Sequence, residues 1–299
     1  HGSLNTSAGG TIALLGGRVS NHGVIVANQG SVALAAGDAM TLDFAGNGLL
    51  NLRVDEGMVD ALVENHQLIR ADGGQVLLTA HAGDALLRTV VNNTGVIEAR
   101  TLGEKDGRIL LLGDFDGGVV NVAGTLDASA PDGGNGGFIE TSGAHVRIAD
   151  DVKVTTLAEP GRGRTGEWLI DPYNVTISNA GSTGMGGFNG SANDSVLNVH
   201  TLTNALASTG VTVTTGVGGS QAGNITVDAP INWSADTTLT LNAAGSVIIN
   251  KDITATGTNA GLSLVYGNGY RLGSGARVTL SGSNASLSLG GTSYTLIHD

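Results

Sequence analysis

The chain has 299 residues, 49 of them glycine and 4 proline, with 40% hydrophobic, 13% charged and 3% aromatic residues and a formal net charge of −12. The aliphatic content argues against disorder, the scarcity of aromatics against a thick core between two layers, and the acidity against nucleic acid or anionic membranes as partners. There is no cysteine, hence no disulfide or thiolate chemistry, and no apolar run of about 18 residues that would cross a membrane as a helix.

The start His1-Gly-Ser3 lacks a signal-peptide pattern, and the chain reads as an excised part of something longer. From there on, short extended segments recur. Gly10-Thr-Ile-Ala-Leu14 returns as Gly30-Ser-Val-Ala-Leu34, Gly74-Gln-Val-Leu-Leu78 and Gly107-Arg-Ile-Leu-Leu111. A second phrase runs Asn21-His-Gly-Val-Ile-Val-Ala27, Asn65-His-Gln-Leu-Ile-Arg-Ala71 and Asn93-Thr-Gly-Val-Ile-Glu-Ala99, then shortens to Ala123-Gly-Thr-Leu-Asp-Ala128.

Side chains of a strand alternate, so Ile25 and Ala27 fall on one side and Val24, Val26 and Ala35 can share the other. Gly, Asn and Asp between the segments accept the left-handed backbone values of sharp corners. The spacing is 20 residues from Gly10 to Gly30, 28 from Ala71 to Ala99 and 29 from Ala99 to Ala128, which suits coils with or without a loop. Coils stacked about 4.8 Å apart, at about 20–25 residues each, give about 12–14 turns of inward Val, Ile and Leu ladders. The expected fold class is therefore all-β: a right-handed parallel β-helix (solenoid) with short extra-helical insertions, the hand following the general rule for parallel crossovers. Ile97 is expected to point inward.

Two stretches depart from this alternation. Gly57–Glu64 has Val59, Leu62 and Val63 at helical spacing, and Val199–Ala207 has Leu202, Ala205 and Leu206 likewise, so a short helix that protrudes from or covers the stack is predicted at each.

Parallel β-helices also host polysaccharide lyases and glycosidases, which makes paired carboxylates worth testing. Asp114 and Asp116 would share one side of a strand, as would Asp150 with Val152, yet solvated corners explain them equally. Asp132-Gly-Gly-Asn-Gly-Gly137 is similar to the calcium loops of β-rolls, but Phe138 stands where the later Asp is required. No His-x-x-x-His pair favours zinc and no Gly-x-Ser-x-Gly elbow favours a serine nucleophile, so no catalytic, cofactor-binding or metal-binding residue is expected. Arg162 and Arg164, in the loop-like Glu159–Gly166, are the candidate ligand contacts, with an anionic glycan as the partner and an ordinary solvated loop as the alternative. Asn-x-Ser/Thr acceptor sites for glycosylation occur at Asn5, Asn92, Asn174, Asn189, Asn193, Asn224, Asn232 and Asn284, as chance allows in so polar a chain.

Composition divides the chain near residue 178. Residues 1–177 carry net −10 and residues 178–299 only −2, with Thr, Ser and Asn replacing the charges. Three parts are expected: a β-helix section with Asn-x-Gly repeats over 1–165, a junction over 166–177, and a second, Thr/Ser/Asn-rich section over 178–299. At the junction, Trp168, Asp171, Pro172 and Tyr173 bring two large rings and a missing donor into an aromatic-poor chain, which suits a structural plug between sections.

Gly166-Glu-Trp-Leu-Ile-Asp-Pro-Tyr-Asn-Val-Thr-Ile177, preceded by Gly136-Gly-Phe-Ile-Glu-Thr-Ser-Gly143, resembles the filamentous haemagglutinin-like exoproteins of two-partner secretion in Gram-negative bacteria. The resemblance continues through Ser195–Ala207, Gly223–Val227 and Ile231–Leu241. It implies a non-enzymatic section of a large secreted, cell-surface adhesin that serves attachment to host surfaces, aggregation or biofilm. Its implied partners are a host glycan or protein, or an exopolysaccharide, without membrane insertion. The family's Asn-Pro-Asn-Gly type secretion signature does not occur here, so contact with the outer-membrane transporter is assigned to a region outside this chain. The other readings are a biofilm-matrix protein that binds exopolysaccharide and, from another class, a polysaccharide-degrading β-helix enzyme.

Overall fold

A computed structural model describes residues 2–43, 51–57, 59–82, 89–114, 117–171, 174–180, 195–215 and 222–297. It is a stack of β-coils, nearly all of whose strand pairs are parallel. One sheet runs the length of the stack: ten parallel strands from Thr11–Gly16 to Ser286–Leu289, closed by the antiparallel Thr292–Tyr294. Among the described residues the long sheet has ten parallel rungs, fewer than the roughly 12–14 turns expected at about 20–25 residues each, because insertions lengthen many coils. The interval is 20 residues from Ile12 to Val32 and 44 from Val32 to Val76, although both pairs are adjacent in register.

The core follows from alternation. Val32, Val76, Ile109, Ile139, Trp168, Val211, Leu239 and Leu262 occupy one register row of the long sheet, and all are buried. Ile25, Ile69, Ile97, Leu126 and Val154 form the matching row on another face, with Ala27, Ala71, Ala99 and Ala128 at its corner. Each fully buried aliphatic of this kind contributes about 1.5–3 kcal/mol.

The glycines that open the long-sheet strands meet a different need from the one sequence suggested. Gly30, Gly74, Gly137 and Gly166 require no positive φ. A Cβ on Gly74 would instead lie 2.0 Å from the carbonyl oxygen of Gly30, and one on Gly137 would lie 2.1 Å from that of Gly107. They form a column in which the backbone corners of consecutive rungs nearly touch, and only hydrogen fits between them.

The recurring asparagines are likewise more than corner residues. Asn21 Nδ2 donates to Asn65 Oδ1 at 2.8 Å, Asn65 Nδ2 to Asn93 Oδ1 at 2.8 Å, and Asn93 Nδ2 to the Ala123 carbonyl at 2.8 Å. All three are buried, so this chain of amides satisfies polar groups that would otherwise be costly inside the coil.

Of the two helices predicted, one forms. Around Gly57–Glu64 the chain instead turns at Asp60, whose φ is 56°, and enters the strand Leu62–Asn65. Val63 and Asn65 point inward there while Val59 is 59% exposed, so period two prevails over an accidental helical spacing. Helix α1 (Val199–Leu206) does form, capped by Asn198, whose side chain accepts from the His200 amide at 2.7 Å. It neither protrudes nor covers: it takes a strand's place in the stack. Thr201 Oγ1 donates to the Ala149 carbonyl at 3.4 Å, and Thr237 Oγ1 donates to the Leu206 carbonyl at 2.5 Å, which ties α1 to the coils before and after it. An extra-helical insertion of another kind occurs earlier, the antiparallel hairpin Ala39–Asp43/Asn51–Glu56. It follows the strand Ser31–Ala36, whose outward Ala33 and Ala35 are as buried as its inward residues.

Around residues 166–177 the three faces behave differently. The long sheet passes through without a break, Trp168 pairing with Ile139 on one side and Val211 on the other. On the second face the sheet ending at His145–Ile148 and the sheet beginning at Ser195–Asn198 abut without a backbone ladder, bridged where the Val146 amide donates to Ser195 Oγ at 3.3 Å. The strand Ser195–Asn198 also sits out of chain order, between His145–Ile148 and Val175–Ser178, which precedes it in sequence. The third face is interrupted by α1.

Candidate functional site

A groove of about 1510 Å³ runs along the outside of the long sheet, where the strands begin. Arg108, Phe138, Glu167 and Thr238 stand at the starts of strands Arg108–Leu112, Phe138–Ser142, Glu167–Asp171 and Thr238–Ala243, with Gly210 as the fourth in register order. Thr212 and Thr240 lie one outward position further along. Five rungs make four steps of about 4.8 Å, so the groove extends about 19 Å parallel to the stack axis.

The floor is the glycine column, here Gly107, Gly137 and Gly166, which puts bare backbone where side chains would otherwise stand. The wall comes from the corners that follow the third-face strands, including Leu157, Pro160, Arg164 and the Ser234–Thr237 turn.

The polar groups of the groove are held in place. Arg108 lies with its guanidinium carbon 5.5 Å from the centre of the Phe138 ring, a cation–π pair. Thr212 Oγ1 donates to the Glu167 carboxylate. Asn259 binds Asp236 twice, its amide N–H to Oδ1 at 2.9 Å and its side-chain Nδ2 to Oδ2 at 2.8 Å. Those backbone and side-chain hydrogen bonds hold the Asp236 carboxyl below the ordinary carboxylate value. Asp106, at the groove's first rung, is an exposed residue, yet partial burial of its carboxyl pushes its pKa upward.

The residues singled out by sequence divide around this groove. Arg164 lines it, and its backbone amide is anchored to Asn135 Oδ1 at 3.0 Å. Arg162 is not among its lining residues and pairs with Glu159 at 2.5 Å. Trp168 points inward, fully buried, and donates its indole N–H to Thr141 Oγ1 at 3.1 Å. Asp171 ends the same strand, away from the groove, with Ser142 as its register partner. Pro172, Tyr173, Asp116, Asn189 and Asn193 lie outside the described residues. Asp114 accepts from His81 Nδ1 at 3.0 Å. Asp150 lines a second, smaller cleft of about 290 Å³ beside α1, with Asp151, Lys153 and Asn204. In the segment 132–137, Asn135 is tied down by Thr101 Oγ1 at 2.5 Å and by Arg164, and Gly133 and Gly134 take positive φ values of 98° and 90°.

Compared with known proteins, the chain matches no family model and no curated protein. What the groove can do must therefore be read from its geometry. It sets out carboxylates, guanidinium groups, hydroxyls, an amide and one aromatic ring along a line, which is equipment for holding an extended ligand. Phe138, Glu167, Thr212 and Asp236 were not singled out from sequence. A faint signal existed: Arg108, Phe138 and Glu167 each directly follow a column glycine, so the first position after that glycine faces the same groove on successive rungs.

Proposed function

We propose that this chain is a non-enzymatic section of a secreted bacterial adhesin of the filamentous haemagglutinin-like type, a rod that holds binding elements away from the cell and engages a partner along its flank. The observation that carries this reading is the lateral groove running across five rungs of one continuous sheet, a surface built by repetition and open along its length. The Trp-Leu-Ile-Asp-Pro resemblance supplies the family and, with it, the outer-membrane transporter and the cell-surface location. Attachment to host surfaces, aggregation and biofilm retention are the roles such a rod serves.

The test is direct. Beads coated with the chain should adhere to epithelial cells or to biofilm matrix above the level of uncoated beads, and the soluble chain should compete. Adhesion equal to that of uncoated beads on both surfaces would overturn the reading. Release of reducing ends from bound polysaccharide would replace it with the enzyme.

A further inference from the structure

From the groove's chemistry we infer that it is a subsite for an uncharged, extended polysaccharide chain lying parallel to the stack axis; this rests on the adhesin reading and names its ligand class. Three features carry the inference. The first is shape: a trench about 19 Å long with a floor of bare backbone accommodates a thin, extended polymer and not a folded partner. The second is the kind of groups presented. Carboxylates of Glu167 and Asp236 accept from sugar hydroxyls, while the partly exposed Phe138 ring, with Arg108 over one face, offers its remaining apolar surface to the C–H groups of a pyranose. A hydrogen-bonding site of this kind discriminates because an unmatched polar group left in it is costly.

The third is charge. Asp106, Glu167 and Asp236 set three negative groups against the two guanidinium groups of Arg108 and Arg164, leaving the groove slightly negative on a chain of net −12. Arg108 is drawn over Phe138, and Arg162 is turned to Glu159. Such a field disfavours a sulfated or uronic-acid polymer, so the anionic glycan suggested by the two arginines is the poorer ligand. A peptide is disfavoured too, since the long-sheet strands bordering the groove are paired on both sides and offer no edge for strand addition.

The experiment titrates the purified chain by calorimetry with xyloglucan, galactomannan and laminarin, and in parallel with heparin, alginate and a random-peptide library. Binding to at least one neutral polymer is expected, with a Kd that changes less than about two-fold between low and high salt. Phe138→Ala should weaken it about ten-fold, and Arg162→Ala, outside the groove, should leave it unchanged. Because Phe138→Ala could disturb the rung, Glu167→Gln and Asp236→Asn provide exposed alternatives, each checked for an unchanged circular dichroism spectrum. Binding to heparin or alginate alone, selection of peptides alone, no binding at all, or binding indifferent to all three groove substitutions would each overturn the inference. Bead adhesion without groove-dependent polysaccharide binding sinks the groove and spares the adhesin reading; groove-dependent polysaccharide binding without bead adhesion does the reverse.

Discussion

Asn65 sits at the middle of the amide chain, receiving from Asn21 and donating to Asn93. Asn65→Ala would strand a buried donor on one side and a buried acceptor on the other, each costing about 1–3 kcal/mol, so a loss of about 3 kcal/mol is expected in denaturant melts. Ser20→Ala, on the outer side of the neighbouring strand, should stay within about 0.5 kcal/mol. Equal effects of the two substitutions would refute the energetic role of the ladder. His145 adds a dependence on pH. Burial, and then the nearby Arg147, hold its imidazole below the usual histidine value. The unfolded chain therefore takes up that proton first, so the stability this neutral imidazole contributes is complete above the unfolded pKa of about 6.5 and is lost as pH falls through the folded value. The melting temperature should drop on acidification from about pH 7 to pH 5 more steeply in the wild type than in His145→Gln. Parallel curves would remove His145 from the account. The inward aliphatics were legible because alternation is a strong signal, but the asparagines were read only as corner formers. Asn is common in turns, and nothing in one rung reveals that its side chain meets the same residue of the next.

At the scale of the element, the glycine column decides how closely two rungs approach. Gly137→Ala places a methyl group against the Gly107 carbonyl, and because that neighbour is backbone it cannot swing aside. A destabilisation of about 3 kcal/mol is expected, at the upper end for overpacking, whereas Gly161→Ala, with open space around the added Cβ but a φ of 76°, probes backbone strain alone. A Gly137→Ala melting curve that overlays the wild type would show that the rungs can part freely. The two predicted helices show what elements a sequence reveals. Val199–Leu206 has both the apolar spacing and a capping Asn198, whereas Val59, Leu62 and Val63 have the spacing alone, and the turn at Asp60 consumes it. Where α1 sits was not legible, since its place inside the stack depends on the neighbouring coils. The groove was only faintly legible for the same reason: Phe138, Glu167 and Thr212 are brought together by register across strands far apart in sequence, and Asp236 joins them from the Ser234–Thr237 turn.

For the whole molecule, stability passes from rung to rung, and near the Trp168 strand two of the three routes are altered. The long sheet continues, but the second face crosses by a side-chain bridge and the third through α1. Hydrogen exchange followed by mass spectrometry should find peptides covering 145–148 and 195–206 opening ahead of those covering the neighbouring long-sheet strands 138–142 and 167–171. Uniform protection across all four would mean that the remaining ladder transmits the full cooperativity. The out-of-order strand carries a further consequence in time. A chain delivered from its amino end can zip rung upon rung as far as Lys153–Thr155, but Val175–Ser178 then emerges before Ser195–Asn198, the strand that will separate it from the earlier rungs. Growth of the rod is therefore not strictly sequential: one slot must be held open and filled from behind, and a chain halted between the two strands would end in a rod with a gap at its waist.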